Sequence, residues 1–63
     1  MQVNFEYAIG DIVRTKRGET GTIIGLTAVR GKTEPLFKTV KLELDDGAAQ
    51  WVPEFRIEEV VGW

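Results

Sequence analysis

Apolar residues recur along this chain mostly at every second position, the spacing of strands that bury one face, rather than every third or fourth as in a helix. Val3, Phe5, Tyr7 and Ile9 alternate with Gln2, Asn4, Glu6 and Ala8, so residues 1–9 read as an extended arm, either an extra strand or an interface segment. Gly10 and Asp11 turn the chain. Residues 12–16 form a first strand with Val13 and Thr15 on one face and Ile12, Arg14 and Lys16 on the other. A polar reversal over residues 17–21 holds Gly18 and Gly21, and glycine enters positive φ without a steric penalty. Residues 22–29 make the second strand, where Gly25 signals a bulge or bend. Residues 30–35 are a polar, mobile loop. The cleanest alternation follows in residues 36–44, with Val40, Leu42 and Leu44 on one face and Thr39, Lys41 and Glu43 on the other.

Asp45, Asp46 and Gly47 lie between two apolar runs, and Asp-Gly in that position favours a tight hairpin with positive φ. Residues 48–52 form the fourth strand. Pro53, which has no N–H to give to a ladder, ends it. Residues 54–56 are then one turn of 3-10 helix before a last strand over residues 57–61. No segment keeps a helical period. The predicted fold class is all-β: a small five-stranded SH3-like barrel over residues 10–63, with one 3-10 turn before the final strand.

Size and charge sharpen this picture. At 63 residues, the chain buries only about 60% of the surface it exposes when unfolded, so its stability is expected to be marginal. It has no Cys, which excludes disulfides and thiolate metal sites and leaves oligomerisation as a common remedy. No stretch resembles a signal peptide or a membrane span, so the expectation is a cytoplasmic protein with no membrane partner. The net charge of −2 disfavours non-specific attraction to nucleic acid. The charges are nevertheless segregated: residues 14–41 hold seven basic side chains and two acidic ones, and residues 42–63 hold six acidic ones with Arg56. A basic patch for a phosphate-bearing ligand, self-complementary faces and ordinary solvated strand faces all fit that pattern.

The absence of His and Cys removes the commonest general base and the most reactive nucleophile. Asp45 with Asp46 and Glu58 with Glu59 are sequence neighbours, and neighbours on a strand point to opposite faces. They do not read as catalytic dyads. Residues 18–22 lack the Lys-Ser/Thr ending and the following helix of a phosphate-cradling loop. Tyr7, Phe37, Trp51 and Phe55 are expected in the core or at an oligomer contact, with a stacking surface or cation cage as the alternative.

Two resemblances lie within this fold. Gly10-Asp11-Ile12-Val13-Arg14, then Gly18, Gly21, Ile23 and the Asp46-Gly47 hairpin, resemble the KOW and Tudor-like barrels of ribosomal and transcription proteins, which implies RNA or protein contact. Residues 10–60, ending Ala49-Gln50-Trp51-Val52-Pro53 and Ile57-Glu58-Glu59-Val60, are similar to the plasmid-borne, trimethoprim-insensitive type II dihydrofolate reductases, whose corresponding ending reads Val-Gln-Ile-Tyr-Pro and then Leu-Glu-Arg-Ile. In that family four barrels surround one pore. The resemblance implies NADPH as cofactor, with Gln50, Trp51 and Val52 at the pore positions and Lys16 beside the position of the family's ligand-capturing Lys. Trp51 stands where the family has Ile, and Val52 where it has Tyr. Alternation puts Gln50 and Val52 on one face and Ala49 and Trp51 on the other, with Trp51 enlarging the core.

The leading expectation is a non-enzymatic binding or assembly module without a cofactor, whose partner is a protein or a second copy. Its candidate partner surface comprises Phe5, Tyr7, Arg14, Lys16, Arg17, Arg30 and Lys32. An oligomeric NADPH-dependent reductase and a KOW-like RNA-binding module are the alternatives, the latter using Arg14, Lys16, Arg17, Arg30 and Lys32.

Overall fold

A computed structural model describes residues 4–29 and 37–62. Arg30, Lys32 and the rest of the 30–35 loop lie outside the described residues, as do Val3, Leu36 and Trp63. The fold is all-β, as expected. Five strands, β1 (Ile12–Thr15), β2 (Thr20–Val29), β3 (Phe37–Leu44), β4 (Ala49–Pro53) and β5 (Ile57–Gly62), form one antiparallel sheet in the order β4-β3-β2-β1-β5. A 3-10 turn, Glu54–Arg56, precedes β5.

The core follows from the alternation. Val13 of β1, Ile23 of β2, Val40 and Leu42 of β3, Val52 of β4 and Ile57 of β5 are buried together, so every strand contributes to one cluster. Leu26 and Leu44 pack against it from partly buried positions. Among the described residues all six buried members are aliphatic, and this corrects the core placement expected for three of the aromatics, Trp51 among them, which was to enlarge the core. Phe37, Trp51 and Phe55 are exposed, Trp51 by 51% and Phe55 by 63%. In β4 it is Val52 that enters the core, because the strand's period of two sends Trp51 to the opposite side.

Both short hairpins are built the same way. Between β1 and β2 the Gly18 amide donates to the Thr15 carbonyl (2.9 Å) and the Thr15 amide to the Glu19 carbonyl (2.8 Å). Between β3 and β4 the Gly47 amide donates to the Leu44 carbonyl (2.9 Å) and the Leu44 amide to the Ala48 carbonyl (2.8 Å). Each is a three-residue loop closed by a glycine with φ near +90°: 89° at Gly18 and 86° at Gly47. Among the described residues no other residue type takes a positive φ, so Asp46 keeps a negative one and the turn is one residue longer than a two-residue Asp-Gly hairpin. Gly21 has a different task. It lies buried in β2 between Val13 and Leu44, and a Cβ there would stand 3.0 Å from the Glu43 carbonyl oxygen and 3.1 Å from Leu44 Cδ2. Its missing side chain lets Leu44 lie across the strand. The bulge expected near Gly25 is present: the β2–β3 register shifts between Ile23 and Gly25.

Residues 4–10 form no strand. The Glu6 amide donates to Glu54 Oε2 (3.1 Å) and the Ala8 amide to Asp11 Oδ2 (3.0 Å), so carboxylates take donors that a ladder would otherwise use. The segment joins the sheet at its end, where Gly10 donates to the Ile23 carbonyl and Ile23 to the Asp11 carbonyl, both at 2.9 Å. Among the described residues no helix is long and apolar enough to cross a membrane.

Candidate functional site

The first hairpin, the free edge of β4 and the 3-10 turn enclose an open groove of about 490 Å³. One backbone bond sets its geometry: the Lys16 amide donates to the Arg56 carbonyl (2.9 Å), which ties the hairpin tip to the 3-10 turn. Behind it Thr15 is buried, its hydroxyl accepting from the Glu19 amide (3.2 Å), so the tip is held rigidly at its base. The sequence pattern extends the first strand to Lys16, but β1 stops at Thr15. Lys16 and Arg17 therefore stand on the exposed turn rather than along a strand face.

Four residues singled out by the pore resemblance, Lys16, Gln50, Trp51 and Val52, line this groove. Their roles differ. Gln50 is half-buried and pairs with Leu42 in the ladder, whereas Val52 belongs to the core. Trp51 faces away from the core. Its indole reaches across β3 to Gly25 of β2, where a Cβ would sit 3.4 Å from Cη2, and the Lys41 ammonium lies 5.8 Å from the ring centroid. The glycine that marks the bulge thus also makes room for the tryptophan.

Pro53, Phe55 and Arg56 complete the lining. Phe55 is steadied by an edge-to-face contact with Phe37, centroids 6.2 Å apart and planes at 64°. Sequence reasoning included Phe55 among the aromatics but gave Arg56 no site role. The signal available was their place on the single 3-10 turn, whose first residue, Glu54, is the one turned inward. The groove carries the cations of Lys16, Arg17 and Arg56 against the single carboxylate of Glu19. Among the described residues none of those three cations has a carboxylate within ion-pair distance.

The other candidate residues lie elsewhere. Arg14 bonds Glu58 (3.3 Å) and Glu59 across the β1–β5 pair, so its charge is already matched. Phe5 and Tyr7 belong to the N-terminal segment, held by a second cluster. There the Lys38 ammonium lies 3.1 Å from Glu54 Oε1 and 2.8 Å from the Asn4 carbonyl oxygen, and 6.0 Å from the Phe5 ring centroid. Tyr7 packs on the core, and burial, with the charges of Glu6 and Glu54, raises its phenol above the ordinary value. The phenol is therefore neutral at neutral pH and in no state to act as a base. Arg30 and Lys32 lie outside the described residues.

The chemistry on offer is recognition: two exposed aromatic rings, three cations without an ion-pair partner among the described residues and one amide side chain around an open trough. No family model matches the chain, and no curated protein and no solved structure matches it either.

Proposed function

We propose that the chain is a small SH3-like barrel acting as a non-enzymatic binding module, with the groove between the β1–β2 turn, β4 and the 3-10 turn as its ligand surface. The sheet order, the bulge at Ile24 and the bond from Lys16 to Arg56, which draws the first hairpin towards the far end of the chain, support the barrel. The observation that carries the binding reading is the pairing of exposed aromatics with unmatched cations in one trough. Large apolar side chains left half in water beside unpaired charge contribute little to the stability of so small a domain, and they suit a ligand that is both anionic and flat or apolar.

The reading is tested by mapping amide chemical shifts while titrating inorganic tripolyphosphate, a probe that carries charge alone. Shifts concentrated at Lys16, Arg17, Trp51 and Arg56 are the expected result. Shifts spread evenly over Arg14, Lys38 and the groove, or none at all, overturn it.

A second reading, an oligomeric NADPH-dependent reductase, is favoured by the convergence of Lys16, Gln50, Trp51 and Val52 on the same trough. It is separated from the first by solution mass and NADPH fluorescence measured on one sample. A tetramer that binds NADPH, and loses it in Gln50→Ala, promotes the reductase; a monomer or dimer that ignores NADPH removes it. Self-association without NADPH would instead point to the exposed Ile12, Val60 and Val61 of β1 and β5 as an assembly face.

A further inference from the structure

We infer that the groove takes single-stranded nucleic acid, with bases stacked on Trp51 and Phe55 and phosphates held by Lys16, Arg17 and Arg56. The inference rests on the proposal that the groove is the ligand surface and names the class of ligand. A polynucleotide strand repeats the two features the trough combines, a flat apolar ring and a single negative charge. Trp51 is half exposed with Lys41 close to its ring, and Phe55 is the most exposed aromatic near the trough, so both present surface that stacking would cover. The cations stand on the turn and the 3-10 helix and line the same trough as the two aromatic residues.

Openness argues against a small nucleotide as the principal occupant. Sites for small molecules enclose most of the ligand, and this trough leaves one side to water, whereas a strand spreads its contacts along the surface. A duplex would offer phosphates to Lys16, Arg17 and Arg56 but keep its bases from the rings. The net charge of −2 is no obstacle locally. Glu58 and Glu59 share the cation of Arg14, and Glu54 pairs with Lys38, so three of the ten acidic side chains are held by partners outside the groove lining.

The test uses the full chain with Trp63→Phe, which leaves Trp51 as the sole indole, titrated by fluorescence with dT8, U8 and a hairpin duplex of equal charge. Expected are quenching by the single strands, weaker binding of the duplex, and affinity that falls about twentyfold between 50 and 200 mM salt, the slope for about three released counterions. Trp51→Ala, followed by anisotropy of labelled dT8, should weaken binding about ten- to a hundredfold while Trp51→Phe retains most of it. Lys16→Gln and Arg56→Gln, both on exposed turns, should each reduce the salt slope by about 0.7. Equal binding of duplex and single strand, or an unchanged affinity in Trp51→Ala, overturns the inference. If tripolyphosphate maps to the groove but dT8 binds no more tightly than tripolyphosphate, or less tightly than an acidic peptide, the groove remains a binding surface and the nucleic-acid assignment falls. If neither probe reaches the groove, both fall.

Discussion

Leu42→Ala is expected to lower the thermal midpoint by about 10–30 °C, read by circular dichroism on the full chain beside the parent protein. Leu42 is fully buried at the centre of β3, paired in register with Ile23 on one side and Gln50 on the other. Truncating such a side chain removes its transfer free energy and leaves a cavity, together costing about 2–5 kcal/mol. A domain of this size has roughly 3–9 kcal/mol in total. Each kilocalorie moves the midpoint by about 4–8 °C at this length. Among the described residues the buried cluster has six hydrophobic members, backed by the partly buried Tyr7, Leu26 and Leu44, so few side chains are at hand to close over the void. Leu42→Met, which keeps the volume, should cost less than about 1.5 kcal/mol. A fall below about 4 °C for the alanine variant would mean that β3 is not the centre of the core.

The second large effect is expected at Glu54. Its carboxylate is nine-tenths buried, with Lys38 on one oxygen and the Glu6 amide on the other. Glu54→Ala leaves the Lys38 ammonium without its counterion and the Glu6 amide without its acceptor. Removing one partner of a fully buried pair costs about 3–5 kcal/mol. Lys38 keeps 28% of its side chain in water, which screens part of that loss, so about 1–3 kcal/mol is expected. The midpoint should then fall by about 5–20 °C. Amide shifts should move at Asn4, Glu6 and Tyr7, since the same cluster holds that segment to the domain. Lys38→Met with Glu54→Gln should cost less than the sum of the single changes, because no buried charge is left unmatched. Additive losses, or unmoved shifts in residues 4–7, would show that the pair does not hold the segment.

Much of the fold was legible because strands announce themselves by a period of two. Val13 with Thr15 and Val40 with Leu42 are buried as their alternation required, and the 3-10 turn falls on Glu54–Arg56 directly after Pro53. The site was legible only in part. Gln50, Trp51, Val52 and Lys16 were found through a family pattern, and they do line one groove. Phe5, Tyr7 and Arg14 had the right chemistry for a surface, but they are engaged in a different place by residues distant in sequence. Arg14, for example, is held by Glu58 and Glu59, 44 and 45 positions further along the chain. No local pattern reports such pairings.

The alternation of Trp51 and Val52 illustrates the limit. Their opposite directions followed from the backbone alone, but which of them met the core depended on where β3 and β2 lay. The N-terminal segment shows the same thing more strongly: its alternation was as regular as that of a strand, yet carboxylates of Glu54 and Asp11 took its amides. By itself, then, the sequence determined the five strands and both glycine-closed reversals, because these depend on steric preference and on spacing along one short stretch of chain. Only the tertiary structure decided which aromatics stay in water, which cations go unmatched and that Lys16, Trp51, Phe55 and Arg56 share a trough, because each of those outcomes depends on the distance between residues that the chain itself keeps far apart.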